Sequence, residues 1–314
     1  MATPREIRRR IRSVSNIAKV TGALEAVSAS KVRRAQQAAV GTRDYANAAR
    51  QILFDIAARS EGGLSHPLLD ERESVRTVTI VLITSDRGLA GPYNTNIVRK
   101  VLEFEDTLEG KAIRYITVGR KGRDLIRRHI AALEEHTARG EAATIPHIVF
   151  DFSEKLPPAP KISDITSISR AAIDDFLSGV VDEVYIAYTD FRNTLSQVPR
   201  VRRLLPLMPT EADIVEGEVE MKLSQAHALY IFEPDAQSIL DEILPRFTEL
   251  QLYQAVLESL ASEHSARMVA MRSATENANA LVDDLTLTYN KARQLAITSE
   301  MLDIVGGANA LDEA

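Results

Sequence analysis

The chain has 314 residues, of which 45% are hydrophobic and 26% are charged, proportions close to those of an average folded protein with a core of ordinary size. It contains no cysteine, which excludes disulfides, thiolate metal sites and thiol redox control. No apolar run reaches the roughly 18 residues of a membrane-spanning helix, and the basic N-terminus lacks the apolar region of a secretory signal.

Charge is distributed unevenly along the chain. Residues 1–34 carry nine Lys or Arg and two Glu, a net charge of +7, whereas residues 240–314 carry five basic and twelve acidic side chains, a net charge of −7. Two ends of opposite sign attract each other if they pack side by side. Aromatic residues make up only 5% of the chain, which favours long helices over broad β-structure.

The first predicted element is a helix from about Pro4 to Ser60 that ends near Gly62-Gly63. Proline suits the first helical turn, where its missing N–H is not needed. Apolar and small residues then recur every three or four positions, which is the helical period. The stripe comprises Ile7, Ile11, Val14, Ala18, Thr21 and Leu24, and it resumes with Ala35, Ala39, Ala46, Ala49, Leu53 and Ile56.

Residues 75–235 alternate between strand and helix patterns, which predicts an α/β domain with a largely parallel sheet. The strand candidates, rich in β-branched or aromatic residues, are Val75–Thr84, Ala112–Val118, Glu183–Thr189 and Ala228–Phe232. The helix candidates are Asn94–Phe104, Arg120–His129 and Ile165–Leu177.

A second long helix is predicted from Arg246 to Val305, where the chain has neither proline nor glycine. Pro245 is expected to kink or delay its start, and Gly306-Gly307 to end it. Sustained spacings of three and four residues indicate a coiled coil. The seam is Leu250, Tyr253, Leu257, Leu260, His264, Met268, Met271, Ala274, Ala278, Leu281, Leu285, Tyr289, Ala292 and Ala296.

The predicted fold class is therefore a long antiparallel coiled coil of the N- and C-terminal helices plus a central Rossmann-like α/β domain. The expected segments are an N-terminal helix over 1–62, an α/β domain over 75–235 and a C-terminal helix over 236–305. Sixty residues of helix span about 90 Å, so each long helix needs a partner along its length. The alternative is that each helix covers a separate globular domain.

One loop has the position of a phosphate site. Residues 84–91 follow a strand and precede a helix, but they lack the Lys-Ser/Thr of a P-loop and the spacing of a dinucleotide fingerprint. The loop is interpreted either as a Gly-rich turn in which Asp86 accepts local backbone N–H groups, or as a phosphate site. The six histidines have no ligand spacing, so neither a metal site nor a cofactor is predicted.

Two charged clusters have ordinary interpretations. Asp283 and Asp284 are adjacent on a helix and point in different directions, so a solvated face is expected rather than a catalytic carboxylate pair. Arg8-Arg9-Arg10 has no interleaved aromatic residue, which disfavours nucleic acid as its partner. Pairing with acidic groups, on the C-terminal helix or on a partner, is expected instead.

In several stretches the chain resembles the gamma subunit of the F-type ATP synthase. The resemblance runs in order along nearly the whole sequence and is most specific at the two ends. The matching stretches are Arg5-Glu6-Ile7-Arg8 with Arg10-Ile11, residues 27–34, 84–91, 196–199, 204–206 and 233–234, residues 262–271, residues 289–294, Ile297-Thr298 and residues 304–308.

The resemblance implies a coupling subunit with no catalytic, cofactor or metal residues of its own. Its implied partners are the alpha, beta and epsilon subunits and the membrane ring of c subunits, with one copy per alpha3beta3 ring. The implied place is the cytoplasmic side of the cell membrane, reached only through the c ring. Residues implied to contact the alpha/beta ring are Arg267, Arg293, Gln294, Thr298, Glu300, Lys31, Arg33 and Arg34.

The sequence also departs from the family. Gly22-Ala23-Leu24 stands where members commonly have Lys-Ala-Met, the segment 211–225 is longer, and the cysteine-bearing insert of chloroplast relatives is missing. Two rival functions are an α/β phosphate-handling enzyme that uses the loop 84–91, and a coiled-coil adaptor that forms homodimers.

Overall fold

The computed structural model describes residues 3–59, 66–108, 110–139, 144–207 and 236–312, which belong to two compact units. The two-helix unit contains the chain up to Ser30 and from Arg267 onward, and the α/β unit contains Lys31–Ala266. The described helices are α1 (Pro4–Arg59), α2 (Tyr93–Asp106), α3 (Arg120–Ala138), α4 (Ile162–Leu177) and α5 (Ala236–Asp312). The strands are β1 (Thr77–Ile83), β2 (Ala112–Val118), β3 (His147–Asp151), β4 (Glu183–Phe191) and β5 (Gln197–Leu205).

In the two-helix unit, α1 and α5 lie side by side. The hydroxyl oxygens of Thr21 and Thr275 are 2.7 Å apart, and a Cβ atom at Gly22 would lie 3.9 Å from the Thr275 methyl group, in ordinary van der Waals contact. From the contact between Thr21 and Thr275, the unit extends mainly towards the N-terminus along α1 and towards the C-terminus along α5. The two helices therefore run antiparallel. Gly22, a departure from the family pattern, therefore stands at the contact between the helices.

The buried stripe of this unit agrees with the predicted one except at one position. Ile7 and Ala18 of that stripe are buried on α1, as is Ser28, which was not part of it, and Met271 and Ala278 are buried on α5. Leu281 was predicted to face the seam but is 47% exposed, whereas the neighbouring Val282 is half-buried. Beyond Val282 the half-buried positions are again the predicted ones, Leu285, Tyr289, Ala292 and Ala296, so the difference is confined to one turn.

The ends of α5 differ from the prediction. The helix begins at Ala236 and continues through Pro245, which therefore neither delays nor interrupts it. It also continues past Gly306-Gly307, where a stop was predicted, to Asp312. A glycine inside a helix costs about 1 kcal/mol relative to alanine, so it permits a helix to end but does not force it to. The predicted end of α1 at Gly62-Gly63 lies outside the described residues.

The α/β unit is built on a five-stranded sheet in the order β3-β2-β1-β4-β5. The first four strands are parallel, and β5 is antiparallel to β4. In β1, alternate side chains point to opposite faces, with Ile80 and Leu82 packed towards α2 and α3 and Val81 and Ile83 packed towards α4. Both faces are covered, which explains why β1 is a continuous hydrophobic run.

Helix α5 also belongs to the core of the α/β unit. Its residues Leu240, Leu244, Leu252 and Val256 are buried in the same cluster as α4 and one face of the sheet. Helix α1 contributes Val32 and Ala39, and the Ala39 carbonyl accepts a hydrogen bond from Gln254 Nε2 at 3.4 Å. The last helix is thus a layer of the α/β sandwich as well as half of the helical pair.

Most predicted central elements are confirmed. Three strands and three helices form where they were predicted, although helix α3 extends nine residues beyond His129, to Ala138. Strands β3 and β5 were missed. β3 is partly exposed along its whole length and shows no alternation, while β5 contains Pro199 and three arginines, a composition tolerated at a sheet edge. The predicted strand Ala228–Phe232 lies outside the described residues.

Candidate functional site

The loop 84–91, the phosphate-site candidate, is held by contacts within the α/β unit. Asp86 Oδ1 accepts hydrogen bonds from the backbone N–H groups of Arg120 at 2.9 Å and Glu154 at 3.0 Å. These groups follow β2 and β3, so the donors are not the local ones that were predicted. The carboxyl ends of parallel strands meet at one edge of a sheet, which places three loops around this single carboxylate.

Thr84, Gly119 and Gly122 pack against one another at the same edge of the sheet. The Thr84 hydroxyl accepts a hydrogen bond from Gly122 N at 2.9 Å and lies 3.2 Å from the carbonyl oxygens of Val118 and Gly119, to which it donates. A Cβ atom at Gly119 would lie 2.2 Å from the carbonyl oxygen of Thr84, and one at Gly122 would lie 2.6 Å from its hydroxyl oxygen. Both glycines are needed because the two loops touch directly.

The crevice between β1 and β4 is where an α/β sheet with this strand order commonly binds a ligand. Here α5 fills it. The Tyr93 hydroxyl donates to the carbonyl oxygen of Ser259 at 3.1 Å, and the Ser262 hydroxyl donates to the carbonyl oxygen of Thr189 at 3.0 Å. The backbone N–H of Thr189 donates to the Ser259 hydroxyl at 3.3 Å. Helix packing thus occupies the position that a nucleotide would need.

Titratable groups in the α/β unit make structural contacts. The Tyr115 hydroxyl donates to Glu105 Oε2 at 2.6 Å, and His129 Nε2 lies 3.3 Å from Glu105 Oε1. Burial, together with the Glu105 charge and hydrogen bond, raises the pKa of Tyr115 far above its usual range. Burial and the neighbouring Glu183 raise the pKa of Tyr185 to about 12. Such tyrosines stay protonated at neutral pH and serve as hydrogen-bond donors.

His66 is buried in the α/β unit, ahead of β1, and faces α5. Its Nδ1 accepts a hydrogen bond from Leu68 N at 3.0 Å, and its Nε2 lies 3.6 Å from Asp241 Oδ1. Burial lowers the pKa of His66 below 6.5, against the opposing charges of Asp241 and Asp70. Protonation at Nδ1 would remove the acceptor that holds the Leu68 N–H.

This histidine predicts a pH dependence of stability. A histidine whose folded-state pKa is lowered binds more protons when unfolded, so its contribution is complete above pH 6.5 and is lost as the pH falls below that value. We expect the thermal midpoint of the chain to fall more steeply from pH 7.5 to pH 5.5 than that of His66→Asn, whose amide oxygen can still accept the Leu68 N–H. Equal slopes for the two proteins would contradict this assignment.

Within the described ranges, no three or more His, Asp or Glu side chains are placed so that they could hold a metal ion. Asp283 and Asp284 are both exposed, as a solvated helix face requires. None of the helices that the structure describes is both long enough and apolar enough to cross a membrane.

The residues implied as ring contacts fall in both compact units. Arg293, Gln294, Thr298 and Glu300 are exposed within two turns near the end of α5, and Thr298 donates to the carbonyl oxygen of Gln294 at 2.9 Å. Arg267 is half-buried at the start of the α5 part of the two-helix unit. In the α/β unit, Arg33 and Arg34 are exposed on α1 and Lys31 is half-buried.

The end of α5 has a feature that the sequence patterns did not reveal. Because Thr21 lies opposite Thr275, Thr3, the first residue that the structure describes, lies opposite position 293. Residues 294–312 of α5 therefore extend about 28 Å beyond the described part of α1. We call this segment the overhang. The apolar pattern of α5 alone does not reveal the overhang, because the overhang also depends on which residues of α1 and α5 lie opposite each other.

Comparison with known proteins agrees with this architecture. A family model described as "ATP synthase" matches residues 3–311. The ATP synthase gamma chain of Chloroflexus aurantiacus is 44% identical over 315 residues, which covers 99% of both chains.

Solved structures show the same fold at lower identity. A chain of the Euglena gracilis mitochondrial ATP synthase rotor has a TM-score of 0.58 at 19% identity and covers 94% of this chain and 98% of its own. A chain of the Tetrahymena thermophila mitochondrial ATP synthase central stalk and c ring has a TM-score of 0.53 at 21% identity, covering 81% and 99%. The chain therefore belongs to the ATP synthase gamma-chain family, the non-catalytic subunits that form the central stalk, or rotor, of F-type ATP synthases.

Proposed function

We propose that the chain couples proton flow through a membrane ring of c subunits to ATP synthesis or hydrolysis by turning its α5 overhang inside an alpha/beta ring. The overhang carries this proposal because large apolar side chains on it are 47–72% exposed. These are Leu295, Ile297, Met301, Leu302, Ile304 and Val305. A lone helix with an open apolar surface gains stability when a partner covers it.

Four polar residues are our proposed contacts with the alpha/beta ring, three of them on the overhang and one, Arg293, directly before it. Gln294 and Thr298 are four residues apart and share one helix face, while Arg293 and Glu300 are seven apart and share the adjacent face. A shaft drives a ring through different states only if its contacts with those states differ in free energy. The two pairs point to different sides of the helix, and apolar side chains such as Ile297 and Ile304 lie among them, so different sides of this part of α5 present different groups to the ring.

Of the remaining proposed contacts, three lie in the α/β unit and Arg267 is the first α5 residue of the two-helix unit. We assign Arg267, with Lys31, Arg33 and Arg34 on α1, to the part of the ring closest to the membrane. We assign the central segment 75–235 to contacts with the epsilon subunit and the c ring. The helical segments 1–62 and 236–305 then form the shaft, and the protein is held at the cytoplasmic face of the cell membrane through the c ring.

Co-purification from native membranes tests this proposal. A tagged full-length chain is expected to recover alpha, beta, epsilon and c subunits, with one copy of the chain for every three beta subunits by quantitative mass spectrometry. Recovery of a homodimer without these subunits would support the rival adaptor function. Tight ATP binding by the isolated chain would support the rival phosphate-handling enzyme, although α5 occupies the crevice that such an enzyme would use.

A further inference from the structure

A pair of threonines makes a polar contact across the seam between α1 and α5 in the two-helix unit. The hydroxyl oxygens of Thr21 and Thr275, both half-buried, lie 2.7 Å apart. Thr275 Oγ1 also lies 2.9 Å from the carbonyl oxygen of Met271, and Thr21 Oγ1 lies 3.1 Å from that of Ala18. A hydroxyl has one hydrogen, so one threonine donates to the other, which donates to its own helix. The bond between the helices therefore exists only while the two threonines are opposite each other.

The threonine contact defines a register that the neighbouring buried residues also follow. Three residues away from the pair on each helix, Ala18 lies opposite Ala278, and both are buried. Seven residues away, Val14 lies opposite Val282, and both are half-buried. The seam therefore keeps this register over two turns of each helix.

A second register is open to the same seam. If each α1 residue faced the α5 residue four positions earlier, Ile11 would face Leu281 and Val14 would face Ala278. Apolar residues would again meet apolar ones, and small side chains such as Ala278 leave no deep knob-into-hole contact to oppose the shift. Both threonines would then face apolar residues of the other helix, and the bond between them would be lost. We call this arrangement, displaced by about 6 Å along the helices, the slipped register.

We propose that Thr21 and Thr275 are positioning residues that hold the two helices in register and so fix how far the overhang reaches into the alpha/beta ring, an inference whose second part rests on the proposed function. A polar group in an otherwise apolar seam specifies register in coiled coils. The bond that is lost has the strength of one ordinary hydrogen bond, which favours the observed register roughly 2- to 13-fold. In the slipped register the overhang would be four residues, or about 6 Å, longer. The groups that face the ring would then be displaced by about one helical turn.

Disulfide trapping in the full-length chain measures the register directly, because the chain has no cysteine of its own. Three reporters share Ala278→Cys and differ in the second cysteine. Ala18→Cys meets it in the observed register. Val14→Cys meets it only in the slipped register, since the two Cα atoms are otherwise about 10 Å apart, beyond the limit of about 7 Å for a disulfide. Asn16→Cys lies on an exposed side of α1 and meets it only if the helices separate.

Rates of disulfide formation with oxidised glutathione are compared for the three reporters. We expect Thr275→Val to raise the rate of the slipped-register reporter roughly 2- to 13-fold and to leave the Asn16 reporter unchanged. Adding Thr21→Val should raise the rate no further, because either change alone removes the bond. Thr275→Ser keeps the hydroxyl and should keep the wild-type rate. Thr286→Val is the matched control, because Thr286 is exposed and donates to the carbonyl oxygen of Val282 at 2.7 Å.

Two results would overturn the register role. One is a slipped-register reporter that forms its disulfide at the same rate with Thr275→Val as without it. The other is an equal rise in the rate of the Asn16 reporter, which would mean that the hydroxyl pair only holds the helices together.

ATP synthesis in reconstituted vesicles tests the second part of the proposal. With its disulfide formed, the slipped-register reporter is expected to make ATP at least about fivefold more slowly, and to recover when the disulfide is reduced. The Ala18 reporter, locked in the observed register, should lose far less. Equal synthesis by the two oxidised enzymes would overturn the link between the register and the reach of the overhang. If the enzyme with the wild-type chain makes no ATP, the proposed function fails, while the trapping rates still decide the register.

Discussion

Replacing Gly119 with alanine is expected to lower the free energy of unfolding of the α/β unit by about 3 kcal/mol or more, from overpacking and backbone strain together. Gly119 has a φ of +102°, a backbone conformation that residues with a side chain rarely adopt. Its added methyl group would also lie 2.2 Å from the carbonyl oxygen of Thr84, and a backbone atom cannot move aside as a flexible side chain can.

Gly179→Ala is the matched control. Gly179 has a φ of +73°, but nothing lies within 4 Å of a Cβ atom there, so strain of about 1 kcal/mol is expected without overpacking. Native-state hydrogen exchange of the amides in β1 and β2, at several urea concentrations, measures the two losses. Equal losses of unfolding free energy in the two variants would mean that the loops after β1 and β2 separate easily. Their contact would then not stabilise this edge of the sheet.

Ending the chain after Thr288 is expected to reduce proton-driven ATP synthesis by about tenfold or more, within the range of typical coupling free energies. The truncation removes the overhang, with Gln294, Thr298 and Glu300, and the preceding residues 289–293, which include Arg293. It leaves the buried contacts of α5 with the sheet, such as Leu252 and Val256, intact. The α/β unit should therefore remain folded, which the exchange of its strand amides can establish. ATP synthesis and proton pumping are measured in reconstituted vesicles.

Point substitutions separate the role of the assigned contacts from the loss of length. Arg293→Ala/Gln294→Ala is expected to weaken coupling, whereas Asn290→Ala/Lys291→Ala should be close to wild type. Asn290 and Lys291 are exposed on the same stretch of helix but lie outside the assigned contact set. Unchanged synthesis in both the truncated chain and the Arg293/Gln294 variant would refute the assignment of this segment to the ring.

Helix α5 fills the crevice between β1 and β4 of the α/β unit. A sheet of this order commonly binds a ligand between its switching strands, yet here Ser259 and Ser262 of α5 bond to Tyr93 and Thr189 in that place. These contacts attach α5 directly to the sheet of the α/β unit.

The sequence by itself determined the long helices and the central α/β pattern. Sustained spacing of apolar residues, together with continuous β-branched runs in β1, is a local signal that tertiary contacts did not overturn. The resemblance at the two ends identified the family, because the matching stretches there are long and specific. The predicted pairing of the two helices is confirmed by the contact between the hydroxyl groups of Thr21 and Thr275 in the two-helix unit.

Only the tertiary structure decided the remaining features. β3 and β5 are edge strands with exposed or charged residues, so they lack the periodicity that identifies buried strands. The overhang depends on the register of Thr21 with Thr275, which no single helix encodes. The partners of Asp86 come from loops 34 and 68 residues away, and they meet because parallel strands end at a common edge. Periodicity records which face of an element is buried, whereas register and loop contacts depend on where elements distant in sequence are brought together.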